Sequence, residues 1–157
     1  GISQHPEAHM DMVRLGIGLY GYDMSSQDLD LEEVGILKTT ITQIKHIPKT
    51  ETVGYDRKGV LTRDSIIATV KIGYADGYNR RFGNGVGEML VNGQMVRTVG
   101  NICMDMCMLD VTDVYAKEGD EVIVFPDVTE ASRRIGTISY ELLTGISARV
   151  KRVYYYE

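Results

Sequence analysis

Glu88–Val99 reads E-M-L-V-N-G-Q-M-V-R-T-V, two short sheet-like runs joined by Asn92-Gly93. A strand turns successive side chains to opposite faces, so alternation of this kind marks a sheet with one dry side. Asn-Gly accepts the positive φ values that a two-residue type I′ turn demands, which predicts a β-hairpin.

The same character extends to either side. Leu37–Ile47, Ile66–Ile72, Ile102–Val111 and Glu121–Phe125 are further short runs of mixed apolar and polar residues, separated by glycine or proline turns. Strands at this spacing predict an all-β barrel or sandwich. Asp127 is placed to cap a helix, and Ile138, Leu142 and Ile146 recur at helical spacing, with Gly145 a candidate C-cap. Arg149–Tyr156 is expected to return to strand. The fold class is therefore mainly β: a Greek-key-like β-barrel with one or two short helices.

Before the barrel lies a different region. Residues 11–22 combine apolar residues with three glycines, which suits a strand end, a turn and a short helical piece. Met24–Glu33 is polar and acidic and reads as a connection. The boundary is set there, giving 1–33 and 34–157 as two parts.

A chain of 157 residues with 43% hydrophobic content is long enough for one domain with a core. A net charge of −5 argues against a nucleic-acid surface. Nothing approaches the ~20 apolar residues of a membrane span, and the start does not read as a signal peptide. Cys103 and Cys107, four apart on one expected strand, would stand roughly 13 Å apart, too far for a disulfide. The scattered histidines add no zinc pattern, so no metal is expected. Reduced thiols fit a cytoplasmic protein. The segment from Gly1 to Pro6 lacks an initiating methionine, and the expectation is that the chain is a piece excised from a longer protein.

Three segments carry the chemistry: V-G-Y-D-R-K-G (Val53–Gly59), I-G-Y-A-D-G-Y-N-R-R (Ile72–Arg81) and V-G-N-I-C-M-D-M (Val99–Met106). Each sets polar or reactive groups among glycines, which let backbone approach a small ligand closely. Tyr55 reads either as an exposed loop tyrosine or as a base. A phenol titrates near ~10 in water and works as a base only beside cations or donors that favour its anion. Tyr74 offers a rigid wall with one polar tip. Met104, Met106 and Met108 read as an alternating core stripe, while the main chain there is equally able to donate to an anion.

Taken in order, the segments resemble the C-terminal domain of the alanine racemases, which depend on pyridoxal 5′-phosphate. The resemblance implies that Tyr55 is the catalytic acid and base, in a segment where the family usually has Val-Ser-Tyr-Gly. Gly54 and Asp56 depart from that pattern and put the conformation of the loop in question. It also implies that Tyr74 lines the entrance to the cofactor, that the backbone N–H of Met104 binds the substrate carboxylate, and that Asp105 supports the site. V-R-L-G-I-G-L-Y-G resembles the end of the family's (β/α)8 cofactor barrel, making residues 1–33 a remnant of that barrel. By this match Arg14 bonds the pyridine nitrogen, and Gly16, Ile17 and Tyr140 serve the phosphate. A guanidinium accepts no proton, so an arginine partner leaves the ring nitrogen largely unprotonated.

The lysine that binds the cofactor covalently is not matched by Lys38, Lys45, Lys49, Lys58, Lys71, Lys117 or Lys151. The chain by itself is therefore expected to be inactive. In the whole enzyme the resemblance implies a homodimer whose active site is shared between subunits, with a small amino acid as substrate, D-alanine for peptidoglycan as product, and a cytoplasmic location. Two alternatives stay open: a racemase of another small amino acid such as serine, and a non-catalytic β-barrel that binds or dimerises.

Overall fold

The computed structural model describes residues 4–23 and 29–155. The chain divides into two compact units, Gly1–Ile36 and Leu37–Glu157.

The second unit holds the strands β1 (Lys38–Ile47), β2 (Thr52–Val53), β3 (Gly59–Val60), β4 (Ser65–Val70), β5 (Glu88–Val91), β6 (Gln94–Val99), β7 (Cys107–Asp110) and β8 (Glu121–Ile123). Two helices follow, α1 (Val128–Arg134) and α2 (Ser139–Thr144). β5 and β6 form the hairpin read from the sequence, with Asn92 and Gly93 at φ 48° and 78°. Six strands close a barrel in the order β1-β4-β7-β6-β5-β8. β5, β6 and β7 follow one another around the wall and β8 returns beside β5, which is a Greek key.

Closure depends on β1. Its start pairs with β8, Lys38 opposite Ile123, and its end pairs with β4, Ile47 opposite Ser65. The register shifts between Ile41 and Gln43. A bulge bends a strand, and this one lets β1 serve two neighbours. β2 and β3 pair only with each other and form a small ribbon outside the barrel.

The barrel interior is filled by alternate residues of every wall strand: Ile41, Ala68, Val70, Met89, Val91, Val96, Leu109 and Val122 are buried. Beside them Tyr78 stacks on Phe82 with ring centres 4.6 Å apart, and Phe125 lies 5.7 Å from each ring. Buried Thr98 is satisfied because its hydroxyl donates to the Phe82 carbonyl. α1 starts at Asp127, whose side chain accepts from the Glu130 N–H at 2.9 Å. Arg134 ties that helix to β5 through Glu88 at 2.8 Å.

Three sequence expectations need correction. Ile102–Val111 is strand only over Cys107–Asp110. The Cys103 N–H donates to the Met106 carbonyl at 2.9 Å, closing a tight loop in which Met104 and Asp105 stand out. Cys103 is thus off the strand and half-buried, while Cys107 is fully buried and pushed well above the ordinary thiol range by that burial. Residues 149–155 form no strand. The Arg152 guanidinium donates to the carbonyls of Ile146, Ser147 and Val150, which curls this segment back on itself. Ile135–Ile146 is helical only over Ser139–Thr144, since Gly136 takes φ 69° and interrupts it. Leu142 is buried as its spacing predicts, whereas Ile138 is exposed.

The first unit contains two short 3-10 turns, Pro6–Ala8 and Ile17–Tyr20. None of its described residues is buried, and Met10, Met12 and Leu19 are among its exposed apolar side chains. Residues 24–28, in the acidic connection, lie outside the described residues.

Candidate active site

Tyr55 follows β2 at the tip of the β2–β3 ribbon. Gly54 has φ 77° and ψ −175°, and a Cβ there would lie 2.8 Å from the Met108 Cε. Asp56 and Arg57 follow at φ 58° and 54°. Left-handed backbone on both sides of Tyr55 throws the ring outward, and it is 73% exposed. Its carbonyl accepts from the Asn101 amide at 3.3 Å, and Asn84 donates to the Asn101 side-chain oxygen at 3.2 Å. The phenol makes no hydrogen bond among the described residues. Arg57, the nearest cation in sequence, turns aside to Thr52.

Tyr74 opens the 3-10 turn Tyr74–Asp76, which leaves β4 and docks on the loop before β7. The Tyr74 N–H donates to the Cys103 carbonyl and the Ala75 N–H to the Met104 carbonyl, each at 3.0 Å. A Cβ on Gly73 would lie 2.3 Å from the Cys103 oxygen and 2.4 Å from that of Met104, so only glycine permits this approach. The N–H of Met104 has no acceptor among the described residues. Met104 and Met106 are exposed and only Met108 is buried, so the core stripe read from the sequence holds for Met108 alone.

Tyr55, Asp56, Tyr74, Arg80, Asn101, Cys103, Met104, Asp105 and Met106 line one open concavity of about 470 Å³, floored by Ile102. A neighbouring cleft of about 440 Å³ shares Tyr74 and Arg80 and reaches Glu141 on α2. Burial raises the Cys103 thiol above its ordinary value, against the opposing charge of Arg80.

Asp105 is held by the Arg149 guanidinium, which also donates through Nε to Asp76 Oδ1 at 2.7 Å. Burial pushes the Asp76 carboxyl up, but the bonds from Arg149 and from the Gly73 N–H outweigh it and hold the group below its ordinary range. Arg149 was missed by the sequence reading, which gave it to a final strand. No local motif joins it to Asp105, and its role exists only where the chain doubles back.

The remaining sequence candidates belong to other elements of the chain. Arg14, Gly16 and Ile17 belong to the first unit. Arg14 is exposed, and the Gly16 carbonyl accepts from the Leu19 N–H at 3.1 Å. The N–H groups of Gly16 and Ile17 have no acceptor among the described residues. Tyr140 stands half-buried on α2 in the second unit. Among the described residues there is no group of His, Cys, Asp and Glu that would hold a metal ion, and no helix is long and apolar enough to cross a membrane.

The family model for the alanine racemase C-terminal domain matches residues 34–154. The alanine racemase of Clostridium novyi is 43% identical over 95% of this chain, and the match spans 42% of that protein. Among solved structures, the alanine racemase of Streptomyces lavendulae superposes with a TM-score of 0.90 at 32% identity, over 98% of this chain and 43% of that one. That of Bartonella henselae, which carries covalently bound pyridoxal phosphate, gives 0.85 at 35% identity, over 92% and 42%. The chain thus spans about four-tenths of the length of these relatives.

Proposed function

From the premise that this chain belongs to the alanine racemase C-terminal domain family, we infer that it forms part of an enzyme interconverting L- and D-alanine with pyridoxal 5′-phosphate. One observation carries the reading. Positions 55, 74 and 104, far apart in sequence, meet on one concave surface together with Asp105.

The residues of the chain suit the cofactor at two of its ends. Arg14 and the uncommitted N–H groups of Gly16 and Ile17 are all donors, which fits a ring nitrogen and a phosphate; Tyr140 would add a phenolic donor to the phosphate. Every lysine of the chain is exposed and none lines the concavity, so the covalent lysine belongs to a part of the protein outside this sequence. The apolar side chains left exposed on the first unit fit a remnant of a larger barrel preceding the β-barrel domain. When bound, the cofactor withdraws electrons from the substrate and acidifies its α-proton.

In this reading Tyr55 exchanges a proton between its phenolic oxygen and the substrate Cα on one face. A base outside the chain serves the opposite face, and exchange on two faces inverts the centre. The free Met104 N–H binds the substrate carboxylate. Tyr74 forms one wall of the approach and Asp105 supports the Met104 loop. No described residue donates to the Tyr55 phenol, so in this reading the groups that favour its anion lie outside the chain, in a homodimer whose active site is shared between subunits. A peptidoglycan role, with D-alanine as product, and a cytoplasmic location accompany this reading.

Substituting Tyr55→Phe in the full-length protein tests it. Racemisation of L-alanine followed by circular dichroism should fall by roughly 10²–10⁴, while undiminished turnover rejects the assignment and favours a scaffold. Comparing kcat/KM on L-alanine and L-serine selects the substrate. The 157-residue chain supplied with cofactor is expected to racemise neither.

A further inference from the structure

We propose that Arg149 is a positioning residue that clamps the loops bearing Tyr74 and Met104 into one unit and so aims the Met104 N–H into the site; the inference rests on the site reading above. The geometry is specific. Arg149 Nε donates to Asp76 Oδ1 at 2.7 Å, and Nη2 donates to Asp105 Oδ1. Asp76 ends the turn that Tyr74 opens, and Asp105 directly follows Met104. A planar guanidinium can engage two carboxylates on different edges at once, whereas a lysine ammonium acts as a point charge.

The backbone explains why this clamp reaches the Met104 N–H. The Cys103 carbonyl and the Met104 N–H belong to one planar trans peptide, so they point in opposite directions. Tyr74 holds that carbonyl through its own N–H at 3.0 Å. Fixing the oxygen therefore fixes the direction of the free N–H. Ala75 holds the next carbonyl, that of Met104, in the same way at 3.0 Å. The turn making both bonds is braced from within by the Gly73 N–H on Asp76 Oδ2 at 2.8 Å. It is tied to the segment carrying Arg149 by the Ser147 N–H on the Asp76 carbonyl at 3.0 Å. Among the described residues, Arg149 is then the one side chain bonded to both loops. Its side chain and that of Asp105 are about half exposed, so the effect of removing it should be moderate and local.

The test uses the full-length racemase with Arg149→Gln, Arg149→Lys and Asp105→Asn, read by amide hydrogen exchange and by steady-state kinetics. Arg149→Gln should speed exchange at the Tyr74, Ala75 and Cys103 amides about three- to tenfold, with the Met89 and Val91 amides of β5 unchanged. KM for alanine should rise by a similar factor and kcat move by less than about twofold. Arg149→Lys should not restore either reading, and Asp105→Asn, which weakens one arm of the clamp, should fall between. Unchanged exchange at the three amides overturns the clamp. Equal acceleration in β5 overturns it as well, since the effect would be general loosening. Faster exchange without a change in KM overturns its part in substrate binding. The site reading fails by a separate route, through full activity of Tyr55→Phe.

Discussion

The wall of the barrel and its rim are built by opposite means. The wall is apolar burial: Met89, Val91, Leu109 and Val122 have no solvent exposure. Side chains decide it, and apart from the bend in β1 the strands pair in regular register. At the rim, Tyr55, Tyr74 and Met104 are themselves exposed, although Val53 and Ile102 in the same segments are buried. Backbone hydrogen bonds, left-handed turns and a guanidinium decide it. Packing energy thus supplies a rigid frame, while the site residues stay uncovered and available to a ligand or a second subunit. The first unit sharpens the contrast, since it has similar apolar residues and buries none of those described.

The largest break of this comparison should come from the wall. Leu109→Ala leaves a void in the closed barrel and is expected to cost about 2–5 kcal/mol in chemical denaturation. A loss under about 1 kcal/mol would mean that the barrel collapses around the gap. At the rim, Gly73→Ala drives a methyl group into two carbonyl oxygens and should cost roughly 1–3 kcal/mol. It should also separate Tyr74 from Met104, so the racemase activity proposed for the full-length protein should fall further than stability. Equal losses would show that the turn is only structural. Asp127→Ala removes the α1 cap and should lower stability by about 1 kcal/mol without touching activity.

The smallest effect is one of pH. The hydrogen bond from Arg134 holds the Glu88 carboxyl below its ordinary value, against a smaller contribution from burial. A depressed carboxyl contributes stability that is present above its unfolded pKa, roughly 4.3, and lost as pH falls through the lower folded value. Glu88→Gln should therefore flatten the acid limb of the stability curve below about pH 4 and lower stability at neutral pH by less than about 1 kcal/mol. An unchanged limb in thermal melts from pH 3 to 7 would assign acid sensitivity to other groups, with Asp76 the next candidate.

The legible parts of the fold were those decided within a few residues. Asn92-Gly93 announces its hairpin because few other residues accept those φ values, and Asp127 caps its helix through a neighbour three positions on. The strand runs fell short where a long-range bond competed. Cys103–Met106 alternates like a strand but turns away, because its backbone pairs internally and receives the Tyr74 turn. Arg149–Tyr155 is rich in strand formers yet follows the demands of two arginines for carbonyls and carboxylates. At the candidate site, the resemblance singled out Tyr55, Tyr74 and Met104, and the fold sets them around one concavity; the pairing of Arg149 with Asp76 and Asp105, and the sharing of Arg80 by two clefts, had no local signal because they join distant segments.

Sequence alone determined the alternation that makes a barrel wall, the hairpin turn, the helix cap and the identity of the residues with chemical potential, because each depends on local backbone preference or on side-chain type. Tertiary structure decided the closure through the bend in β1, the meeting of positions 55, 74 and 104, and the arginine that binds the loops of the last two. Those depend on groups distant in sequence reaching hydrogen-bonding distance, and only the folded path of the chain sets such distances.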